Sequence, residues 1–385
     1  MLLVARKNLF SERTRLAISV GGVALAVFLI SLLLSLYRGW DSKIGGWVEH
    51  SNIDLWIGSE GVNDFLGAAS ILPTEGTEAE QADRFLSTSA SVEKWSPLIA
   101  RPMIGIHVTL PPEAGSGEPR GTQMNIHLIG YDTEKGLGGP ITVVEGKTAP
   151  GPGEIIVDKA LTKRYGVEVG DIVAAGGRDW NVVGISDGGD FVAAQTVFVS
   201  LDEAQETLNM EGLTTFIVIK LMPEIDAEKF ADDNRRPGLT AFTRDEFASN
   251  TRDRILGEVL PIIAMVLALA FIVGLAVAGL TIYTATVEKA REYGILKAVG
   301  FPNRYLYRAV LEQSVVTGFL GFVIGVGLTL IIGPFASDVV PQFVLFTRWQ
   351  DILGVAGVTV LMSAIAAYVP VRRLAAIDPV AVFKA

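Results

Sequence analysis

Hydrophobic positions along this chain fall into two regimes. Four apolar runs, Leu16–Tyr37, Val259–Tyr283, Val315–Phe335 and Ile352–Val369, carry only scattered polar residues. The first is an uncharged stretch of 22 residues, enough to cross the hydrocarbon core of a bilayer. It is about twice as long as a signal-peptide core, and no small-residue cleavage site follows before Tyr37-Arg38-Gly39-Trp40, so it reads as a retained span. Between the first and second runs the pattern changes to short strand-like stretches: 53–57, 104–110, 124–131, 154–157, 171–174, 180–185, 196–199 and 215–221. Helical spacing predicts helices over 158–165, 201–208 and 225–233, and the polar patches 73–81 and 111–121 read as loops or mobile insertions. Tyr37, Trp40, Ile44, Trp47 and Val48 extend the first span's helix outward as far as Gly45-Gly46 or slightly beyond. At the other end, Thr243 opens a helix with a capping-box pattern closed by Glu246, and no breaker separates it from the second span.

The sequence therefore predicts an α-helical membrane protein with four transmembrane helices and a large extracytoplasmic mixed α/β domain. Its parts are an amphipathic N-terminal helix (1–15), first span (16–37), outer α/β domain with a helical stalk at each end (38–254) and second span with its stalk end (255–285). A charged helix (286–308), third span (309–335), short outer loop (336–350), fourth span (351–369) and tail (370–385) complete it. Leu2, Leu3, Val4, Leu9 and Phe10 interleave with Arg6, Lys7, Glu12 and Arg13, which fits either an interfacial helix or a basic topogenic flank alone. The aromatics Tyr37, Trp40 and Trp47 fit either an interfacial belt or a substrate path between the stalks.

Charge supplies the orientation. Residues 38–254 hold 34 acidic and 19 basic residues, a local balance of −15, whereas the rest of the chain sums to +5. Arg6, Lys7, Arg13 and Arg15 precede the first span. Lys289, Arg291, Lys297, Arg304 and Arg308 lie between the second and third, and Arg372, Arg373 and Lys384 follow the fourth. By the positive-inside rule both termini and the 286–308 segment are cytoplasmic, and the acidic block is outside. The localisation read from this is a multi-pass protein of the plasma (inner) membrane. A net charge of −10 argues against a nucleic-acid partner, and the absence of Cys excludes disulfides and thiolate chemistry.

Catalytic motifs do not accumulate. Gly184-Ile185-Ser186-Asp187-Gly188 satisfies the nucleophile-elbow pattern, but it precedes a Gly-rich turn rather than a helix, and His50, His107 and His127 all come before the serine instead of after it. Gly146-Lys147-Thr148 lacks the first glycine of a P-loop, because position 141 is Ile141. There is no HExxH, and three scattered His make no metal site. No ionisable residue falls at mid-membrane, where a proton-coupled transporter needs one. The chain is not expected to be an enzyme, to bind a cofactor or to hold a metal.

The segment that remains is Thr286 to Pro302, TVEKAREYGILKAVGFP. It is a short helical pattern of mixed charge ended by Gly300-Phe301-Pro302. It is too small to be a domain and the right size for a contact that another protein pushes on.

Three stretches carry a family likeness. Glu288–Gly321 (EKAREYGILKAVGFPNRYLYRAVLEQSVVTGFLG), Pro370–Pro379 (PVRRLAAIDP) and Pro152–Val173 (PGEIIVDKALTKRYGVEVGDIV) resemble the coupling segment, terminal segment and small outer subdomain of MacB/FtsX/LolC-type permeases of ABC systems. Gly130-Tyr131-Asp132-Thr133 and Gly136–Pro140 resemble the DevC/HrtB-like exporter subgroup. The likeness covers most of the chain and is poorest over 59–119. It implies a homodimer, or a dimer with a close paralogue, that docks two copies of a separate cytoplasmic ATPase. ATP and Mg would be bound by that ATPase and no cofactor by this chain; no ATPase domain is expected here, since only about fifteen residues precede the first span. Membrane lipid is a further partner, and a periplasmic adaptor belongs to some family systems.

The implied function is the permease of an ATP-driven exporter of an amphiphilic or hydrophobic compound (lipid, lipopeptide or haem-like). The alternative is a mechanotransmission module that activates an extracytoplasmic enzyme and moves nothing. Against the ATPase, Tyr293, Leu296 and Phe301 are the expected apolar anchors, Glu288, Arg291, Glu292 and Lys297 the polar frame, and Gly300-Phe301-Pro302 the turn fixing the helix angle. A solvated loop helix whose charges only set topology is the competing reading. The small residues Gly274, Ala276, Ala278 and Gly279 suit close helix packing, either in a dimer seam or within the chain.

Overall fold

The computed structural model describes residues 13–65, 70–110, 120–189, 192, 194–299, 301–339 and 343–375. Residues 1–12 of the expected interfacial helix (1–15), residues 111–119 of the expected loop (111–121), Gly300 and the tail from 376 lie outside the described residues. In chain order the elements are α1 (Arg13–Lys43), α2 (Gly46–His50), β1 (Leu55–Ser59), β2 (Leu72–Pro73), α3 (Thr77–Thr88), β3 (Val92–Leu110), β4 (Arg120–Tyr131) and β5 (Thr142–Gly146). There follow β6 (Glu154–Asp158), α4 (Lys159–Tyr165), β7 (Ile172–Ala175), β8 (Arg178–Asp187), β9 (Gln195–Ser200), α5 (Leu201–Leu208), β10 (Leu213–Thr214) and β11 (Phe216–Leu221). The last are α6 (Ala227–Asp233), β12 (Leu239–Thr243), α7 (Arg244–Glu288), α8 (Ala290–Ala298), α9 (Asn303–Val339) and α10 (Trp349–Ala375). Two compact units result, one from residues 40–257 and one from residues up to 39 together with 258 onward.

The outer unit is built on one ten-stranded sheet in the order β12-β1-β11-β3-β4-β9-β6-β8-β5, with β7 pairing both β3 and β8. Period-two alternation divides its side chains between cores. Leu55, Ile219 and Leu221 point to the face covered by α3 and α6, where they meet Leu86 and Phe230. Their neighbours Trp56, Phe216 and Val218 point the other way, into an aromatic core with Trp47, Phe65, Phe198 and Phe247. A third core, around Ile126, Val157, Trp180 and Val197, is closed by α4 and α5. Both helices start on side-chain caps: Asp158 accepts from the Ala160 amide at 2.9 Å, and Ser200 from that of Glu203 at 3.4 Å. Thr243 caps α7 by accepting from the Glu246 amide at 3.3 Å, as its sequence pattern predicts.

Some local expectations are corrected. The patch 73–81 is not a loop, because α3 begins at Thr77 with Glu78 and Glu80 in its first turn. Acidic residues favour a helix N-terminus, and the polar composition conceals an apolar pair, Phe85 and Leu86, that seats the helix on the sheet. The strand expected over 104–110 is the far end of the 19-residue β3. The tail assigned from 370 stays helical to Ala375, with Pro370 inside α10. The first helix ends at Lys43, and Gly45 takes φ +81° before α2 begins. A Cβ at Gly45 would lie 2.8 Å from the carbonyl oxygen of Ala248, so both its conformation and the approach of α7 require glycine. Arg252 of α7 then bridges Asp41 at 3.8 Å and Glu49 at 2.9 Å.

His127 of β4 lies against Phe65, ring centroids 5.7 Å apart, and burial pushes its pKa down from 6.5 to about 4. The folded unit therefore binds fewer protons than the unfolded chain between those values, so stability falls as pH drops through that window. The expected loss by pH 4 is roughly 3 kcal/mol, read as a falling Trp-fluorescence melting temperature. His127→Gln should flatten this slope; an unchanged slope would assign it to other groups.

Among the described residues four helices, α1, α7, α9 and α10, are long and apolar enough to cross a membrane. Their shared core joins Val23, Val27 and Ile30 of α1 to Ala278 and Ile282 of α7, Val310 and Val326 of α9, and Met362 and Ala366 of α10. Arg38 pairs with Asp351 at 3.2 Å, and Ser35 meets Thr347 at 2.7 Å. Small residues let the helices approach. A Cβ at Gly325 would lie 2.7 Å from the Ala24 carbonyl oxygen and 2.8 Å from Val27 Cβ, whereas one at Gly327 meets nothing within 4 Å. Gly325→Val should cost about 1–3 kcal/mol by overpacking and Gly327→Ala almost nothing, compared as melting temperatures in nanodiscs.

Candidate functional site

The charged segment between α7 and α9 forms a short helix, α8, separated from α7 by Lys289 alone. Its backbone continues the helical path, since Tyr293 N–H donates to the Lys289 carbonyl at 3.0 Å. At the far end Phe301 N–H donates to the Leu296 carbonyl at 3.1 Å, and Phe301 leans on Tyr305 with ring centroids 5.2 Å apart.

The two faces of α8 differ in kind. Tyr293 and Leu296 are half-buried and packed against the core of the spans, together with Tyr305, Tyr307 and the buried Leu306 and Val310. Gly294 is buried between them. On the opposite side of the segment Val287, at the end of α7, and Ile295, on α8, are each 44% exposed, and Val299, just past α8, is 73% exposed. With Arg291 these positions recur every four residues, one stripe on a helix. Glu288, Arg291 and Glu292 are exposed along it, and Lys297 is half-buried.

This geometry changes the anchor set read from the sequence. Tyr293 and Leu296 are turned inward and hold α8 on its own membrane unit, and Phe301 is half-buried against Tyr305. The large apolar side chains left exposed on this segment are Val287, Ile295 and Val299, which the sequence reading did not single out. Their spacing was the available signal; size favoured the aromatic and leucine instead.

The remaining candidates separate. Trp47 is 1% exposed in the aromatic core of the outer unit, 5.7 Å from Trp56 and 5.1 Å from Phe65, so it cannot line a path. Tyr37 and Trp40 are half-buried on α1. Gly274, Ala278 and Gly279 serve packing within the chain. A Cβ at Gly274 would come 2.5 Å from Ala26 Cβ and 2.8 Å from Met362 Sδ, Ala278 is buried in the span core, and Gly279 lies against Ala366. Ser186 is a buried strand residue of β8 donating to the Val157 carbonyl at 3.4 Å, followed by a turn at Gly188. The next element among the described residues is the strand β9, not a helix.

Comparison with known proteins bears on the whole chain. Residues 16–236 match the MacB-like periplasmic core domain, and residues 256–379 match the FtsX-like permease C-terminal region. An uncharacterised ABC transporter permease of Mycobacterium tuberculosis is 24% identical over 100% of this chain and 99% of its own length. A putative hemin transport system permease protein, HrtB, of Staphylococcus haemolyticus is 23% identical over 62% of this chain and 65% of its own length. The crystal structure of the periplasmic region of MacB from Actinobacillus actinomycetemcomitans aligns with a TM-score of 0.33 at 12% identity, covering 51% of this chain and 92% of that one.

Proposed function

The chain belongs to the family of ABC transporter permeases that combine a MacB-like periplasmic core domain with an FtsX-like C-terminal region, and we propose that it is the membrane subunit of an ATP-driven exporter of an amphiphilic or hydrophobic compound. The observation that carries the reading is the division of the segment around α8 into an inward face holding it to the spans and an outward stripe of Val287, Ile295 and Val299. A separate cytoplasmic ATPase, which binds ATP and Mg, seats on that stripe, and Glu288, Arg291, Glu292 and Lys297 set the register. The termini lie on the same cytoplasmic side, consistent with the basic flanks of the spans.

The element that transmits the stroke is α7. It covers Arg244 to Glu288, with Pro261 inside it, and its last residues adjoin α8 across Lys289, so displacement of α8 acts first on the end of α7. Of the four long helices α7 is also the least covered by its own chain. Ile262, Met265, Leu269, Ile272 and Leu280 stand exposed on it, a face for lipid or for the second permease copy. The hemin named for the staphylococcal relative is an amphiphile, in keeping with this substrate class.

The test is ATP hydrolysis by the permease–ATPase complex in nanodiscs across a panel of amphiphiles, haem and lipopeptides. The exporter reading expects one chemical class to raise the rate severalfold. A complex that assembles and hydrolyses ATP with no response to any of them would favour force transmission without transport.

A further inference from the structure

Between α3 and α6 the sheet of the outer unit is incompletely covered, leaving a cavity of about 640 Å³. That is the size of a site for one small ligand. Its floor is Ile57, Ile217, Ile219 and Ala241 on neighbouring strands, and Phe85 and Phe230 form its walls. No part of the coupling surface contributes to it.

Charge is distributed along this cavity unevenly. Arg235 and Arg236 sit in the connection that leads into β12, and Glu246 lies just past the end of β12. The five residues of β12, about 16 Å of extended chain, lie between Arg236 and Glu246, and Glu228 and Asp232 also line the cavity. Arg235 is engaged by Asp232 at 2.7 Å. Arg236 is exposed and stacked over the Phe85 ring, its guanidinium carbon 5.1 Å from the centroid, and no carboxylate pairs with it among the described residues. A cation held in place by an aromatic ring at the mouth of an apolar cavity, with its hydrogen-bond donors unspent, is complementary to an anion attached to a hydrocarbon.

We propose that this cavity binds a single-chain anionic amphiphile, its tail on the Ile57–Ile217–Ala241 floor and its head group on Arg236. Glu246 enforces one orientation, because a reversed ligand would place its anion against a carboxylate. The proposal goes beyond the coupling reading and is tested without any ATPase, so either can fail alone.

The experiment titrates the full chain in phosphatidylcholine nanodiscs with 11-(dansylamino)undecanoic acid. Empty discs supply the background, and N-dansyl-1,11-diaminoundecane is the cationic counterpart. Saturable dansyl emission above empty discs is expected for the acid. Joint Arg235→Glu and Arg236→Glu should weaken the acid at least tenfold without weakening the diamine, Arg236→Lys should retain the acid, and Ala241→Trp should remove both probes. Circular dichroism and elution volume confirm that each variant is folded. Absence of saturable signal above empty discs, or unchanged acid affinity in the folded double-arginine variant, would overturn the proposal.

Discussion

Joint Ile295→Asp and Val299→Asp is expected to strip the ATPase from a permease that remains folded. Ile295 is exposed on α8 and Val299 just past its end, and neither belongs to the chain's own core. Burying two such groups in a partner's groove contributes about 3–6 kcal/mol, so placing carboxylates there should weaken assembly at least a hundredfold, measured by co-purification and by surface-immobilised binding. Leu296→Asp should behave differently. Leu296 is packed with Tyr293 against the span core, and a carboxylate there is desolvated without a partner, so the permease itself should lose thermal stability. If Leu296→Asp left the permease's stability intact while removing the ATPase, and the double aspartate variant still assembled, the faces of α8 would be assigned the wrong way round.

The second large effect lies in the outer unit. Trp56 is fully buried and meets four rings: Phe247 stacked at 5.1 Å, and Trp47, Phe216 and Phe65 edge-on at 5.7, 5.7 and 5.9 Å. Because Trp47 and Phe247 come from α2 and α7, this cluster ties the chain entering and leaving the unit to the face of its sheet. Trp56→Ala should cost about 3–5 kcal/mol through lost burial and the cavity left behind, lowering the first melting transition and exposing the unit to proteolysis. Trp47→Ala should follow the same course, whereas Trp40→Ala, at a half-buried helix position, should change stability little. A substrate-path role for Trp47 would instead leave stability intact and alter transport alone.

These contrasts show which parts of the structure were legible in the sequence. The spans were, because an uncharged apolar run of bilayer length is rare in a soluble core, and the family segments around 288–321 and 152–173 match the domains found there. Most strands and the helices over 158–165 and 201–208 followed from periodicity. The short strands β5 and β12 did not, since β5 is exposed at every position but Val143 and β12 buries only Phe242, so neither alternates as a half-buried strand does. Trp47 was grouped with Tyr37 and Trp40 by helical spacing, but Gly45 at φ +81° breaks that helix and turns Trp47 into the core. For α8 the sequence located the helix but not its inward face. That face is chosen by Leu306 and Val310, residues of α9 that pack beside Tyr293 and Leu296 only once the spans have assembled.

The most direct test of the account uses the absence of cysteine from this chain. Single cysteines introduced at 287, 291, 293, 295, 296 and 299 are each unique, and a maleimide–succinimide reagent can link them to lysines of the bound ATPase. The predicted result is strong cross-linking from Val287→Cys, Arg291→Cys, Ile295→Cys and Val299→Cys, with little from Tyr293→Cys and Leu296→Cys. Equal yields from all six positions, or adducts confined to 293 and 296, would contradict the assignment of the outward stripe as the surface on which the ATPase acts.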